Sequence, residues 1–474
     1  MEFKTLLLED LKSLLPYFQA QSFRLSDYTV GFCYMWLSYA WHSYALVEGC
    51  LCIRARLSGV DRFAYPLSLT GNLDEELRAL NQIEMWCVKN NTPLILNAIP
   101  SDRLCPLTHR YGRDLTLTNP RTWRDYLYKI EDFINYAGKK FSGQRNHVSK
   151  FQRLYPTAVY RPMASSDYTV VMSFLRHYSE HQYAKHSFIA NEEMHGSEIL
   201  LKTFDDFSMI GGILEVDGKI VAITFGEISA DTLVVHVEKA LATYEGAYPT
   251  IAHEFAKACA RPGLLYINRE DDAGDCGLRK SKLQYNPIQI LDKYTLVPKR
   301  IIEELEAPPI IRTPHLVLQE IKESEAHAYG SLARNIERNK FWGWDWRTEW
   351  KEEGDPRDMW FLTLARNDFE TRTEISLGIY VEDVFVGECV FHNFTYTNAV
   401  ELGVRLLPQY ERKGYAAEAM RNLADYALCY WGLEKVTAKC YRDNLSSKNM
   451  LLKSGLRHDD EDDTFLYFSR TAKN

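Results

Sequence analysis

A short apolar hairpin with an acidic turn occurs three times along the chain and constrains the fold strongly. The hairpins span residues 47–53, 216–222 and 381–387, and their turns read Glu-Gly, Asp-Gly and Glu-Asp. A strand, a helix and a second strand follow each hairpin. They lie at 62–69, 73–90 and 93–98 after the first hairpin, and at 232–239, 247–260 and 264–268 after the second. After the third hairpin they lie at 400–406, 412–428 and 435–440. Such a connection requires a parallel or mixed sheet covered by helices, so the sequence predicts an α/β fold of three related units with mixed α+β sheets. Chance recurrence is the alternative, chiefly for the first copy, because no phosphate-binding loop follows it.

The third copy contains a candidate anion-binding turn between its strand and its helix. The strand 400–406 breaks at residues 407–410, and helical spacing of apolar residues begins at Ala416. Residues 412–417 are therefore expected to be the first helical turn, with unpaired N–H groups facing outward. Gly414 lets the backbone approach a ligand closely, and Arg412 and Lys413 supply positive charge. These features together suit a diphosphate.

The second copy keeps the glycine of this turn but lacks the cations. Residues 244–249 read Tyr-Glu-Gly-Ala-Tyr-Pro, with Gly246 in the place of Gly414. A diphosphate there would have no charged partner. The second unit is therefore expected to bind something else or to have lost this use.

Composition describes an ordinary folded protein whose charge is unevenly placed. The 474 residues predict two to four domains. The net charge of −8 comes entirely from residues 301–474, which hold 22 Lys+Arg and 30 Asp+Glu. An acidic lobe disfavours nonspecific nucleic-acid binding and suits amine substrates, although solubility alone would also explain it.

The cysteines and the N-terminus favour a cytoplasmic protein without a structural metal. The ten cysteines show no metal-ligand spacing and no disulfide framework, and we expect buried thiols in a reducing compartment. The first ten residues do not resemble a signal peptide. Residues 28–47 contain no Asp, Glu, Lys or Arg, but their Tyr, Ser and His content favours a buried aromatic helix over a membrane span. We expect Ser26 or Asp27 to cap this helix and a strand to begin near Tyr44.

The C-terminal third resembles the GCN5-related N-acetyltransferase (GNAT) family, in the branch that acetylates N-terminal amines of ribosomal proteins. The motifs are the Gly414 turn, in which Gly414 and Ala416 match the family pattern, and the segment 444–456, with its Asn, Ser, Lys, Gly and apolar residue. The leading position of the turn is Glu411, which departs from the family's Arg or Gln, so Arg412 or Lys413 replaces that contact. The resemblance implies acetyl-CoA as donor and a primary amine as acceptor, either a small molecule or a protein N-terminus.

The resemblance, with the chemistry of acetyl transfer, also implies site residues. The reaction needs a neutral amine, a polarised carbonyl and a proton for the departing thiolate. Glu401 is the candidate base, with Glu388 in reserve, and Ser447 is the candidate acid, with Tyr441 as the alternative. Ser447 as a helix N-cap is the structural alternative. The residues expected to hold the coenzyme are Leu402, Val404, Leu406, Arg412, Lys413, Gly414, Tyr415, Ala416, Ala417, Asn444 and Asn449.

Residues 1–298 resemble the C-terminal catalytic domain of bacterial phosphatidylglycerol lysyltransferase, a tandem of two acetyltransferase-like folds. Three segments carry this resemblance: 139–151, 236–240 with Gly246, and 268–282. It implies a pocket that takes an amino acid from aminoacyl-tRNA, without implying a lipid acceptor, since no membrane-spanning helices are attached. The pocket residues are Glu238, Lys239, Asn268, Arg269, Glu270, Asp271, Asp272, Asp275, Arg279 and Lys280. A solvated, salt-bridged loop is the alternative for the carboxylates, and an exposed helix face is the alternative for the basic run 139–153.

These observations predict a domain order and three possible functions. The first unit covers 1–150, the second 151–300, a Pro-rich linker 301–314 and the acetyltransferase domain 315–474. The tryptophans Trp342, Trp344 and Trp346 lie either near the acceptor opening or in a structural aromatic cluster. An acetyltransferase is the first hypothesis. Its rivals are aminoacyl transfer from tRNA by the N-terminal tandem, and a C-terminal domain that senses acetyl-CoA and regulates the first two units.

Overall fold

The computed structural model describes residues 1–37, 41–112, 115–182 and 188–472. The chain divides into two compact units. The first compact unit consists of Met1–Ile83, Leu94–Pro106 and Thr116–Val297, and it holds most of both predicted N-terminal units. The second compact unit consists of Glu84–Pro93, Leu107–Leu115 and Pro298–Asn474.

The α-helices in the described ranges are, in chain order, α1 Leu11–Gln19, α2 Val30–Met35, α3 Leu73–Lys89, α4 Ser101–Tyr111, α5 Ile130–Asn135, α6 Ser142–Leu154, α7 Tyr168–Gln182, α8 Phe188–Lys202, α9 Ala247–Cys259, α10 Cys276–Leu283, α11 Ala326–Arg334, α12 Ile336–Asn339, α13 Asp358–Glu370, α14 Tyr415–Asp425 and α15 Leu445–Lys453. A π-helical turn, Tyr426–Tyr430, extends α14.

The strands form three mixed sheets. The first contains β1 Lys4–Thr5, β2 Trp41–Val47, β3 Cys50–Leu57, β4 Val60–Ala64, β5 Leu67–Ser68, β6 Leu96–Ile99, β7 Leu115–Thr118 and β15 Tyr294–Pro298. The second contains β8 Asp125–Lys129, β9 Val159–Pro162, β10 Ile210–Val216, β11 Lys219–Ser229, β12 Thr232–Ala240, β13 Tyr266–Asn268 and β14 Gln289–Leu291. Because β8 pairs in the second sheet and β15 in the first, the chain crosses between sheets on both sides of residue 150. The domain boundaries at 150 and 300 remain predictions.

The third sheet belongs to the second unit and has the order β16-β17-β18-β19-β20-β21-β23-β22. Its strands are β16 Ile311–Arg312, β17 Val317–Gln319, β18 Ile375–Val381, β19 Val384–His392, β20 Ala399–Leu406, β21 Lys435–Tyr441, β22 Arg457–Glu461 and β23 Phe465–Thr471. Strand β16 lies inside the predicted linker, where Ile311 pairs with Leu318 of β17.

Each sheet repeats the hairpin and crossover that the sequence predicts. The hairpins close at Val47 and Cys50, at Val216 and Lys219, and at Val381 and Val384. All six turn residues have positive φ, between 46° and 76°, which is typical of the type I′ turn of a two-residue hairpin. After each hairpin one helix (α3, α9 or α14) connects a parallel pair, namely β4 with β6, β12 with β13, and β20 with β21. The mixed α/β fold with three sheets is confirmed.

The uncharged segment 28–47 forms a shorter helix than predicted. Helix α2 covers only Val30–Met35, and the residue that caps it is Thr29, whose side chain accepts a hydrogen bond from the Phe32 N–H at 3.4 Å. Neither Ser26 nor Asp27 caps it, because both lie in a preceding 3-10 turn, Ser26–Tyr28. The strand that follows begins at Trp41 rather than near Tyr44, and residues 38–40 lie outside the described ranges. Within those ranges, every helix is too short or too polar to cross a bilayer.

The apolar face of α14 forms much of the core of the second unit. Ala419, Met420, Leu423 and Ala424 are buried at the spacing of one helix face and belong to the same core cluster as Leu402 of β20. Burying a large apolar side chain contributes roughly 1.5–3 kcal/mol. This packing holds the start of α14 next to the end of β20.

Candidate functional site

Strands β20 and β21 separate part of the way along their length. They pair in parallel at Ala399, Val400 and Glu401, and beyond Glu401 the pairing ends. The Leu407 N–H donates to the Val386 carbonyl of the neighbouring strand at 2.9 Å. Since antiparallel bonds alternate along a strand, the N–H groups of the even-numbered residues 402, 404 and 406 point away from β19 and into the gap. An extended ligand could pair with them there.

The turn before α14 differs in detail from its prediction. The helix begins at Tyr415 rather than at Arg412, because Arg412 and Gly414 have φ values of 59° and 90°, outside the helical region. Gly414 is the N-cap residue and no side chain caps the helix. The first intrahelical bond runs from the Glu418 N–H to the Gly414 carbonyl, at 3.1 Å. The N–H groups of residues 415–417 therefore have no intrahelical acceptor.

The corresponding turns of the other two sheets are filled by the chain itself. Gly246, at the start of α9, has the same φ as Gly414 within one degree, but a Cβ built on it would lie 2.5 Å from the His147 carbonyl oxygen of α6. At the start of α3, the Asn72 side chain accepts a hydrogen bond from the Asp74 N–H at 2.8 Å. A Cβ built on Gly414 would meet no atom within 4 Å. The turn at Gly414 is therefore open, while the turn at Gly246 is covered by a helix.

A cavity of about 1410 Å³ in the second unit connects the gap between the strands with this turn. Among the predicted residues that line it are Glu401, Leu402, Val404, Leu406, Arg412, Gly414, Tyr415, Ala416, Ala417, Tyr441, Asn444, Ser447 and Asn449. Lys413 lies over the Tyr410 ring, with its Nζ 5.2 Å from the ring centroid. The structure thus brings the predicted donor-site residues together, and Arg412 lies on the cavity wall whereas Lys413 is not among its lining residues.

The first turn of α15 presents Ser447 to this cavity. Asn444 is the N-cap residue, and its Oδ1 accepts a hydrogen bond from the Ser447 N–H at 3.0 Å. The N-cap alternative for Ser447 is therefore wrong, because Asn444 occupies that position. The Ser447 hydroxyl hydrogen bonds to the Cys440 thiol, whose pKa is raised by burial, and this contact offsets part of the rise.

The two candidate bases have different surroundings. Both oxygens of Glu388 are engaged, since Oε1 accepts from the Tyr329 hydroxyl at 2.8 Å and Oε2 lies 2.6 Å from Arg405. Glu401 accepts a hydrogen bond from Asn393 at 2.9 Å and lies 3.4 Å from the Lys439 ammonium. Glu401 is the more accessible of the two carboxylates and lies next to the gap.

In the first unit, Asp272 and Asp275 have structural partners. Asp272 is fully buried and accepts hydrogen bonds from Arg279, Arg121 and the Tyr126 hydroxyl. The hydrogen bond from Arg279 is the largest cause that holds the pKa of Asp272 well below its usual range. Asp275 caps α10 by accepting from the Leu278 N–H at 2.6 Å.

Four of the other charged residues of the predicted tandem pocket form ion pairs, namely Glu238, Lys239, Arg269 and Glu270. Arg269 lies 2.6 Å from Glu238, and Lys239 lies 2.7 Å from Glu193. Asn268 donates to Asp125, burial raises the pKa of Asp271 to about 6, and Lys280 is exposed. Three residues of the basic run 139–153 are engaged, because Lys140 pairs with Asp132, Lys150 pairs with Glu245, and Arg145 donates to the Tyr136 and Gly138 carbonyls.

Sequence reasoning missed the role of His236, which lies buried between two glutamates. Its Nδ1 is 2.8 Å from Glu270 and its Nε2 is 2.9 Å from Glu227. Burial lowers the pKa of His236, but the two carboxylates together outweigh burial and raise it to about 9. His236 lies in the segment 236–240 that carries the lysyltransferase resemblance, whereas nothing local in the sequence marks Glu227 as its partner.

The raised pKa of His236 predicts a pH-dependent stability of the first unit. A pKa that folding raises from 6.5 to about 9 contributes stability that is complete below about pH 6.5 and is lost as the pH rises through 9. The loss is on the order of 3 kcal/mol. Calorimetry should show that the free energy of unfolding of the wild type falls with pH over this range, whereas that of His236→Gln does not. Equal dependence in both proteins would contradict the assignment.

Comparisons with known proteins agree with this division of the chain. The family model described as phosphatidylglycerol lysyltransferase, C-terminal, matches residues 20–297, and the model described as acetyltransferase (GNAT) domain matches residues 315–457. The resemblance of the N-terminal region to the lysyltransferase family and that of the C-terminal region to the GNAT family are thereby confirmed.

Individual relatives match different parts of the chain. A conserved protein of unknown function from Bacteroides thetaiotaomicron VPI-5482 has a crystal structure that matches with a TM-score of 0.60 and 28% identity, over 63% of this chain and 100% of that one. The uncharacterized N-acetyltransferase YoaA of Bacillus subtilis (strain 168) is 26% identical over 152 residues, which are 31% of this chain and 83% of YoaA. YnaD of the same organism, also an uncharacterized N-acetyltransferase, is 31% identical over 78 residues, 16% of this chain and 46% of YnaD. This chain therefore spans about half the length of YnaD.

Proposed function

Because the chain belongs to the phosphatidylglycerol lysyltransferase C-terminal family and also carries an acetyltransferase (GNAT) domain, we propose that its C-terminal domain transfers the acetyl group of acetyl-CoA to a primary amine. The chain is an acyltransferase, and its GNAT domain takes an acyl-CoA donor. Acetyl as the acyl group, the amine acceptor and a cytoplasmic location are parts of the proposal. The ten cysteines of the chain, most of them buried or partly buried, suit a reducing compartment.

The open turn at Gly414 is the observation that carries the proposal. A coenzyme A diphosphate would accept hydrogen bonds from the N–H groups of residues 415–417, and Arg412 would supply a charge partner. The pantetheine arm would pair with the N–H groups of residues 402, 404 and 406 in the gap. The cavity of about 1410 Å³ has room for both this donor and an acceptor.

The residues of the cavity divide the proton transfers between them. The bound thioester supplies an activated carbonyl carbon, on which the acceptor nitrogen forms its new bond as the carbon–sulfur bond breaks. Glu401 takes the proton of the amine, directly or through a water, and the backbone N–H groups in the gap stabilise negative charge on the carbonyl oxygen. Ser447 gives a proton to the leaving sulfur and regains one from water, while Glu401 releases the amine proton to water; Tyr441 is the alternative donor.

A titration of the purified full chain tests the proposal. Isothermal titration calorimetry should show acetyl-CoA binding, and free thiol should be released when a primary amine is added. The matched test variant is Arg412→Ala, which should weaken acetyl-CoA binding at least about tenfold, since one charge-assisted contact contributes about 1.5–3 kcal/mol. A wild type that does not bind acetyl-CoA would contradict the proposal.

Aminoacyl transfer from tRNA by the first unit is the second candidate, because the family that matches residues 20–297 is described as a lysyltransferase. Incubating the full chain with charged tRNA and an amine-bearing acceptor tests it, with Arg269→Gln as the variant that breaks the Glu238 pair. The C-terminal domain is a sensor if three results occur together. Acetyl-CoA must bind, no amine must be acetylated, and the rate of aminoacyl transfer must depend on acetyl-CoA.

A further inference from the structure

One face of the third sheet forms part of the cavity wall. Glu388 of β19 lies between Gly378 of β18 and Arg405 of β20 in the strand register. Because side chains alternate along an extended chain, Glu374, the residue just before β18, lies on the same face as Glu388 and Arg405. All three side chains line the cavity.

Three carboxylates on this side of the cavity have no cationic partner. Glu349 accepts a hydrogen bond from the Trp344 indole at 2.7 Å, whereas Asp368 and Glu374 have only distant hydroxyl partners, Thr373 at 3.5 Å and Ser376 at 3.4 Å. In the described part of the chain, no lysine, arginine or histidine forms an ion pair with any of the three. Arg405, the nearby arginine of this wall, already pairs with Glu388.

Two of these carboxyl groups have raised pKa values in the protein without ligand. Burial raises the pKa of Glu374 to about 8, the neighbouring Glu388 and Asp368 add to the rise, and the charge of Arg405 offsets only part of it. Burial also raises the pKa of Asp368 to about 6, with a further contribution from Glu349. Carboxylates shielded from water are normally paired with a cation, so the partly buried Asp368 and Glu374 at the cavity wall indicate that a cation arrives with the ligand.

Aromatic side chains complete this end of the cavity. Phe341, Trp342 and Trp344 line it, and the Trp342 ring lies over the Arg405 guanidinium, 4.5 Å from its centroid. Tryptophan faces and carboxylates together are the surroundings in which proteins bind organic ammonium groups.

The sheet sets the distance between this end and the reacting centre. Strand β18 is two strands away from β20, and neighbouring strands lie about 4.8 Å apart, so Glu374 is about 10 Å from the gap where the acyl group would be held. An acceptor that reaches both places must carry a second positive charge about 10 Å from the nitrogen that is acetylated.

We propose that Glu374 and Asp368, with Glu349, bind a second ammonium group of the acceptor, so that the domain selects elongated linear diamines or polyamines over monoamines. This inference rests on the proposed acetyl transfer to an amine and specifies the acceptor. Glu374 and Asp368 are specificity-determining residues, and they take no part in the bond changes at the acetyl group.

Amines of matched chain length test the inference. The probes are diaminoheptane with an amine at each end, heptylamine, and diaminopropane, whose second amine is too close to reach Glu374. We expect kcat/KM of the wild type to be at least 100-fold higher for diaminoheptane than for either of the others. In Glu374→Gln/Asp368→Asn this ratio should fall below about 5-fold. The control Glu370→Gln, an exposed residue of the same helix α13 as Asp368, should keep the wild-type ratio.

Calorimetric binding of the three amines to the coenzyme A-loaded protein separates the inference from the proposed function. Preferential binding of diaminoheptane without any turnover would support the acceptor site and overturn the proposed reaction. A wild type that binds or acetylates heptylamine as well as diaminoheptane would overturn the inference and leave acetyl transfer intact. Selective turnover of a peptide N-terminus over all three amines would overturn it as well.

The thermal midpoint of the variants verifies that they fold. Because folding raises the pKa of Glu374 above its usual 4.5, this group contributes stability only at low pH, and that contribution is lost as the pH rises through about 8. Glu374→Gln should therefore be at least as stable as the wild type above pH 8. A less stable variant there would contradict the unpartnered state of Glu374 beside Asp368, Glu388 and Arg405.

Discussion

Replacing Ala417 with glutamate should weaken coenzyme A binding at least 100-fold without unfolding the protein. Ala417 lines the cavity and is the third residue of α14 after the Gly414 cap. A glutamate at this position can accept a hydrogen bond from the N–H group of its own cap, which stabilises the helix. The same carboxylate would occupy the turn and repel a diphosphate. Two charges 4 Å apart interact by about 4 kcal/mol at an effective dielectric constant of 20.

The neutral variant Ala417→Gln is the control for this experiment, because it has the same size and lacks the charge. We expect its affinity for coenzyme A to lie between those of the wild type and Ala417→Glu, as measured by calorimetry. The thermal midpoint of Ala417→Glu should equal or exceed that of the wild type. Unchanged coenzyme A affinity in Ala417→Glu would show that the turn does not hold the diphosphate.

Ser447→Ala should lower kcat for amine acetylation about 100-fold while changing acetyl-CoA affinity less than about 3-fold. A positioned general acid contributes typically 10²–10⁴-fold to a rate. Ser447 lines the cavity, and its N–H bond to Asn444 uses the backbone, so alanine leaves the helix cap intact. The loss should therefore appear in turnover rather than in binding, in steady-state kinetics combined with calorimetry.

Two further variants identify the acid. Ser447→Thr retains a hydroxyl and should recover most of the activity. Tyr441→Phe should change kcat less than about 3-fold, because the Tyr441 ring packs against Phe341 and Phe465, with ring centroids 5.5 and 4.6 Å away. A larger loss in Tyr441→Phe than in Ser447→Ala would transfer the acid role to Tyr441.

Local sequence patterns predicted the architecture well because they determine it locally. An acidic two-residue turn between apolar strands requires positive φ at both positions, and all three turns have it. The helix after each of these strands then forces a parallel pair. The predicted cap of α2, Ser26 or Asp27, was wrong because Ser, Thr and Asp lie together in that segment and sequence alone does not choose among them.

Contacts between residues distant in sequence were not predictable. No pattern around Gly246 indicates that α6 covers it, although the missing cations suggested that this turn had lost a phosphate ligand. Asp368 lies on α13 and Glu374 just before β18, and only the folded sheet places them beside Glu388. The carboxylate-rich segment 268–282 proved to be divided among separate partners, which side-chain spacing along one loop does not reveal.

A crystal structure of the full chain soaked with coenzyme A tests the central claim most directly. The account predicts diphosphate oxygens within hydrogen-bond distance of the N–H groups of residues 415–417, beside Arg412, and the pantetheine arm along residues 402–406. Coenzyme bound elsewhere, or a Gly414 turn without it at saturating concentration, would contradict the account.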